Sequence, residues 1–587
     1  MRFACIALRA KGNHMDAKGK TTVDPVTLEV MRHAFVSITD QIDANITRTA
    51  FSPYICEYKD YAVGITTAEG ELISTSTGGM PVFVADSVGM AVRDGLQIYG
   101  RERLHHGDVI VCNHAAIQGQ HLNNTVMYTP IFAGKDKPVL IGFFAINVHW
   151  IDIGGLSVGA MSFESTDIFM EGLQLRTVKL WSKGEPVEDI YRIIECNTRF
   201  PQELMGDIAA QVGGCLLGRD MVATLADKYS VATFHGAVET IFDQSEAATR
   251  EKIRAVPDGI YEAEAFLDDD GVSDVPVPIR VRVIVAGDEM TIDYSDMAKQ
   301  VPSCINSGAF GGGRTTARLA FKYLIAAGEM ANEGTYRPLK LILPEGTLLS
   351  ASPTAAMALY PMPFPTVIDT IIKALEDVLP AQVTGAHFGS YSSLRLLGHR
   401  ANGALWSCND SGHGGWGACA DHDGAGPFRT MAHGDTRIIP VELQEALYPI
   451  RLEEFTLRQD CGGAGKYRGG MGFRKRYRIL AECEMFANLD RIDCPPWGVR
   501  GGKSAQPGRI TVEKASGGKE ILYKSEDYKL MPGDIMVMET GGGGGYGDPA
   551  ERPLERVQRD LARGYISPEA AERDYGVKVD SKGVVRR

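Results

Sequence analysis

Behind Asp24-Pro25, the apolar residues Met31, Phe35, Ile38, Ile42 and Ile46 recur at spacings of four, three, four and four. That rhythm predicts an amphipathic helix with an aspartate cap and a proline in its first turn, ending near Phe51-Ser52-Pro53. Shorter alternating or apolar runs follow at Tyr61 to Thr66, Val109 to Cys112, Thr125 to Phe132 and Val139 to Val148. Separated by Gly, Asp and Asn, they read as strands. Residues 202–254 carry no proline and hold Ala, Leu, Met and Glu in helical rhythm up to a boundary at Pro257-Asp258-Gly259. Beyond it Val275, Val277, Ile279, Val281 and Val283 share a strand face, and a helix is predicted from about Thr315 to Ala327.

Glycine then crowds residues 401–473, in Gly412-His413-Gly414-Gly415-Trp416-Gly417 and again from Gly462 to Gly470. A last β-rich segment ends in Pro532-Gly533-Asp534 and Gly541 to Gly545, and a charged helical tail runs from about Pro553 to Tyr575. The expected fold is mixed α/β and α+β, multidomain, with glycine-rich loops, a C-terminal β-rich segment and a helical tail. We divide it into a loose segment 1–23, an α/β domain 24–256, a central α/β domain 257–440, a glycine-rich β domain 441–550 and a tail 551–587. A chain of 587 residues is too long for one core, which agrees with this division.

Charge narrows the partners. With 61 Lys and Arg against 74 Asp and Glu, the net charge of −13 leaves no broad cationic surface for nucleic acid or anionic membrane. Eleven cysteines without a CxxC pair fit neither a zinc ribbon nor a disulfide scaffold, so a reducing cytoplasm is expected. Arg9 and Lys11 interrupt the apolar start before it reaches signal-peptide length, no run suffices for a membrane span, and Met15 is an alternative start.

Imidazole and carboxylate together hold borderline metal ions, and one region supplies both: Asp60, His121, His149 and Asp152, with Asn113 and Asn124 beside them. His149 and Asp152 follow the apolar strand, where side chains converge. Spacing leaves two readings open, a metal site or unrelated polar residues in loops. Gly308 to Thr315 approximates a phosphate-binding loop with Arg314 where its lysine belongs, so no nucleotide site is assigned and close backbone approach is expected. Gly541 to Gly545 reads either as an anion nest or, by preference, as a tight turn against a neighbouring protomer. No GxSxG elbow occurs, and Cys461 in Asp460-Cys461-Gly462-Gly463 reads as buried rather than reactive.

Several segments resemble the B-type subunit of the hydantoinase B and oxoprolinase family, whose relatives include the alpha subunits of acetone carboxylase and the beta subunit of caprolactamase. The most specific match joins Pro532-Gly533-Asp534, Gly541 to Pro549, Glu551-Arg552, Gly564 to Ala571 and Tyr575-Gly576-Val577. Others are Arg458 to Gly465 with Arg468-Gly469-Gly470, Asn332-Glu333-Gly334, Pro344 to Thr347, and His149 to Gly155. The resemblance implies an A-type partner that binds and hydrolyses ATP, in a heterotetramer or larger complex. This chain would supply a divalent metal site, zinc or manganese, and much of the site for a lactam, imide or ketone. By matching positions, Asp60, His121, His149 and Asp152 are implied as metal ligands or carboxylates orienting them, with His149 and Asp152 catalytic. Two departures stand out: the family's NDP is Asn113-His114-Ala115, and the aspartate ending its THLPD is Asn124, so His114 and Asn124 are open ligand positions. The expected activity is ATP-dependent opening of a cyclic amide such as a hydantoin, oxoproline or lactam. The alternatives are ATP-dependent ketone carboxylation and a structural role in such a complex, with a decayed metal site.

Overall fold

The computed structural model describes residues 22–581 and 583–586. Most of the N-terminal segment expected to be loose, with Met15, lies outside the described residues. The first helix is Pro25–Thr49, its Asp24 side chain accepting from the Thr27 N–H at 3.0 Å, and Met31, Phe35, Ile38, Ile42 and Ile46 all face inward. Burying side chains of that size stabilises by roughly 1.5–3 kcal/mol each, far more than helix propensity supplies.

That helix and a longer one, Pro201–Tyr229, pack on a seven-stranded sheet of order β2-β1-β5-β4-β3-β6-β7. Its strands are β1 (Tyr61–Thr67), β2 (Leu72–Thr75), β3 (Val109–Cys112), β4 (Asn124–Ala133), β5 (Val139–His149), β6 (Val178–Ser182) and β7 (Glu185–Pro186). All pairings are antiparallel, and β1, β4 and β5 are almost wholly buried, which explains their apolar runs. The helical stretch after residue 200 is two helices, because Ser230 at φ 80° turns the chain before Val231–Arg254.

A four-stranded sheet follows: β8 (Gly259–Leu267), β9 (Val277–Ala286), β10 (Glu289–Asp293) and β11 (Leu339–Ile342), with helix Phe364–Ala374 against β8 and β9. Val277, Ile279, Val281 and Val283 face its core, whereas Val275 precedes the strand and is exposed. The glycines before helix Thr315–Ala326 form one wide turn packed on Gly119. The Gly308 N–H bonds the Gly119 carbonyl at 3.0 Å, and a Cβ on Gly311 would lie 2.4 Å from that oxygen.

The C-terminal half holds two more sheets. One contains β12 (Ser393–His399), β13 (Leu405–Asn409), β16 (Cys483–Asn488) and β19 (Lys524–Leu530). The other contains β14 (Ile450–Leu457), β15 (Phe473–Ile479), β17 (Arg509–Glu513), β18 (Lys519–Leu522) and β20 (Ile535–Glu539). The helical tail is two short helices, Leu554–Ala562 and Pro568–Tyr575, pinned by buried Arg552 to Asp423 and Asp560 at 2.6 Å each.

Neither an isolated turn nor an anion nest describes residues 541–547. The N–H groups of Gly542 and Gly545 bond Gln506 and Lys503 carbonyls at 3.1 and 3.0 Å. Those of Gly543 and Tyr546 bond Gly470 and Tyr467 at 3.1 and 3.0 Å, and the carbonyls of Gly541 and Gly544 accept from Gly415 and Ala418 at 3.0 and 2.9 Å. From Gly541 to Tyr546 residues three apart meet the same neighbouring segment, as in the three-residue screw of a polyproline II helix, and Gly547 ends the run at φ 73°. Such neighbours lie too close for side chains: a Cβ on Gly544 would sit 1.8 Å from the Trp497 carbonyl oxygen, and one on Gly417 1.6 Å from that of Gly385.

Candidate metal and substrate site

Sheet register builds the site. β5 ends at His149, directly opposite Asn124 at the start of β4, while on its other side β1 begins just after Asp60, whose carbonyl accepts the His149 N–H at 3.0 Å. Three neighbouring strands thus bring Asp60, His149 and Asn124 to one end of the sheet, and His121 sits three residues before Asn124 in the loop entering β4.

The side chains converge on one another. His121 Nδ1 lies 3.0 Å from the Ala358 carbonyl oxygen, so it carries the hydrogen and leaves Nε2 a bare lone pair. Gln120 donates to the Val82 carbonyl at 3.2 Å, which turns its Oε1 toward Asn124 Nδ2 at 3.1 Å. Asn124 Nδ2 also donates to the Tyr360 hydroxyl at 2.9 Å, so Asn124 Oδ1 faces the imidazoles. His121 Nε2 and Asn124 Oδ1 are 2.8 Å apart, and His149 Nδ1 lies 3.1 and 3.2 Å from them. Donors bound about 2.1 Å from one cation at right angles lie about 3.0 Å apart, so this triangle has the size of one face of a coordination shell.

Electrostatics agree. Burial pushes the His149 imidazole well below its usual range, with His121 adding to the effect, and burial lowers His121 too, so both rings are neutral. Burial also raises the Asp60 carboxyl to about 7, against the nearby Arg429 charge. Asp60 Oδ1 and His149 Nε2 are buried without a hydrogen-bond partner. Among the described residues no three His, Cys, Asp or Glu side chains form a ligand cluster: the expected ligand Asp60 does not join His121 and His149 as a third ligand, and the third corner of this triangle is an asparagine amide.

Two expected positions lie elsewhere. Asp152 does not join the imidazoles: its oxygens are held by Arg199, at 2.8 Å from Nη2 and 2.7 Å from the backbone N–H. It stands three residues beyond His149, past the end of β5, where the chain bends at Ile151. His114 caps the short helix Ala115–Gln118, its Nδ1 accepting from Ala116 N–H at 3.2 Å. Asn113 is spent on the backbone of Leu122, Leu173 and Leu175.

The same cavity, about 60 Å³, is walled by residues that local patterns do not single out: Tyr58, Tyr360, Tyr391, Asn409, Arg429 and His433. Tyr54 stacks on His149 with ring centroids 5.7 Å apart. Most of this wall comes from chain beyond residue 357, delivered by the ends of β12 and β13 and the loops after them.

A buried pair of neutral imidazoles with a converging amide oxygen lies at one end of the antiparallel seven-stranded sheet, walled by loops from the C-terminal half. The sequence pattern of the Hydantoinase B/oxoprolinase family matches residues 24–549, and the chain belongs to that family. It is 30% identical to the beta subunit of the caprolactamase of Pseudomonas jessenii, over 96% of this chain and 97% of that one. It is 28% identical to the B-type subunit of a putative D-/L-hydantoinase of Pseudomonas sp. strain NS671, over 96% of each chain. The crystal structure of the ATP-dependent caprolactamase of Pseudomonas jessenii superposes with a TM-score of 0.87 at 29% identity, covering 96% of this chain and 98% of that one. Acetone carboxylase shares the fold, with a TM-score of 0.85 at 18% identity over 96% of this chain and 81% of that one.

Proposed function

We propose that this chain is the B-type subunit of an ATP-dependent cyclic amide hydrolase, acting with an A-type partner that uses ATP. The observation that carries the reading is the triangle of His121 Nε2, His149 Nδ1 and Asn124 Oδ1, three lone-pair donors within 3.2 Å of one another. Its likeness to chains of a caprolactamase and a hydantoinase favours amide opening over ketone carboxylation, for which the likeness extends to the fold alone.

These three atoms would hold zinc or manganese, with the Asp60 carboxylate balancing its charge in place of the anion that Asn124 lacks. A cation bound there supplies polarisation of a carbonyl or phosphoryl oxygen, or a water of lowered pKa. The chain's own residues do the rest. The Ala358 carbonyl fixes the His121 tautomer, and Gln120 with Tyr360 fixes the Asn124 rotamer. Asp60, already perturbed by burial, is placed to take a proton from an attacking water. The aromatic wall excludes bulk water from the ring being opened.

The test is His149→Ala in the complex purified with its partner. Metal content should fall from near one per chain, with affinity down at least about 100-fold, and ATP-dependent lactam opening should be lost while the fold is retained. Full turnover and unchanged metal content in that variant would end the proposal.

A further inference from the structure

The wall of the same cavity contains a charge with no ion-pair partner among the described residues. Arg429 is 2% exposed, and a guanidinium cannot discharge by losing its proton. Elsewhere in the molecule buried arginines meet carboxylates: Arg219 with Asp220, Arg318 with Glu333, Arg468 and Arg552 with Asp560, Arg491 with Asp369. Arg395 also lacks an ion pair among the described residues, but its Nη1 is taken by Ser157 and Val158 and it lies outside the cavity.

Arg429 Nη1 donates to the Gly412 carbonyl at 2.7 Å and the Tyr391 carbonyl at 3.3 Å, which fixes the plane of the group. The rings of Tyr58 and Tyr391 lie 5.4 and 5.6 Å from its central carbon. Its Nε has no partner, and neither does the buried Tyr391 hydroxyl, so two donors of the cavity wall stand unanswered. Asp60 lines the same cavity with a free Oδ1 and makes no hydrogen bond or ion pair to Arg429, although it feels the Arg429 charge. Burying separated charges is unfavourable unless a ligand completes them.

We propose that Arg429, with the Tyr391 hydroxyl, forms an oxyanion-recognition pole of this cavity, taking the carboxylate or phosphoryl group of a small cyclic amide or its activated form. A guanidinium matches either group by paired N–H donors, and the flanking rings hold it flat for that purpose. The proposal rests on the hydrolase reading and deepens it, since it names the charge that the substrate or its phosphorylated form brings to the same site.

Isothermal titration calorimetry on the full chain, stripped of metal with chelator and held at constant chloride, tests it with three probes: inorganic phosphate, 5-oxoproline, and 2-pyrrolidinone, the same ring without the carboxylate. Saturable binding of phosphate or 5-oxoproline, at least tenfold tighter than 2-pyrrolidinone and weakened at least tenfold by Arg429→Lys, is the expected result. Phosphate alone binding assigns the pole to a phosphoryl group, and 5-oxoproline alone assigns it to a substrate carboxylate. Failure of both anions to bind wild type overturns the proposal, as does equal binding of 5-oxoproline and 2-pyrrolidinone with phosphate silent, or unchanged affinity in Arg429→Lys. If Arg429→Lys does not fold, the comparison of probes on wild type decides alone. The anions are titrated onto metal-free wild type, whereas the hydrolase reading fails on metal content and turnover in the assembled complex, so failure of that reading and failure of this one give different results.

Discussion

The imidazole cavity and the glycine bundle are built on opposite rules. Around residues 541–547 side chains are nearly absent and backbone groups find backbone partners in a repeating threefold pattern. In the cavity the side chains are large and polar, and Asp60 Oδ1, His149 Nε2, Arg429 Nε and the Tyr391 hydroxyl are buried without partners. Buried polar groups in a folded protein are nearly always satisfied, so a cluster of exceptions marks where a ligand finishes the structure. The bundle is complete in itself; the cavity is complete when occupied.

Gly544→Ala should break the bundle, since its methyl would collide with the Trp497 carbonyl oxygen at 1.8 Å and no side chain is there to move aside. We expect a loss of more than about 4 kcal/mol, seen as a collapsed urea midpoint or insoluble protein. Gly213→Ala, in a helix with open space around the new methyl, should instead gain about 0.5–1 kcal/mol. A Gly544→Ala protein within about 1 kcal/mol of wild type would refute the packing described here.

A smaller effect, and one confined to the cavity side, comes from Glu171. Its Oε1 accepts from the Met357 and Ala358 N–H groups at 2.6 and 2.8 Å, and the Ala358 carbonyl in turn accepts from His121, so this carboxyl braces the cavity wall. Burial raises it to about 8, with those bonds and Ser165 opposing. A group with a folded pKa above its unfolded one contributes stability that is present below about pH 4.5 and is lost as pH climbs toward about 8. Wild type should therefore lose up to a few kcal/mol relative to Glu171→Gln across that window, and parallel stability curves would contradict it. The bundle, which holds no such group, should show no matching slope.

The mildest change sharpens the cavity's own logic. Asn124→Asp places an anion at the third corner of the triangle, and zinc affinity should rise about tenfold, about 1.4 kcal/mol, in competition against a chromophoric chelator. Unchanged or weaker affinity would remove residue 124 from the ligand set.

How much of this the sequence carries depends on whether a residue's neighbours are local. The first helix, the strands of the seven-stranded sheet and the inward faces of β9 follow from periodicity, because burial repeats with the backbone. That His121, His149 and Asp60 line one cavity was legible because all three lie at or beside strand ends of one sheet. Asp152 was not separable from the imidazoles by spacing, because the bend at Ile151 after β5, which turns its side chain to Arg199, carries no signal in the residue pattern. Arg429 and Tyr391 had no signal at all: their roles arise from contacts between segments more than 200 residues apart, such as Tyr360 with Asn124 and Arg429 beside Asp60. The glycines from Gly541 to Gly545 suggested a tight turn and not this threefold packing, since a residue without a side chain leaves no hydrophobic period to read.

The central strand of the glycine bundle also imposes an order of assembly. Its partners lie between residues 385 and 506, all made before it, so on the ribosome these segments wait as open backbone until residues 541–547 emerge among them. Nascent chains halted short of that point should expose those carbonyls and amides to chaperones and proteases, and the C-terminal half should acquire protection in a single late step.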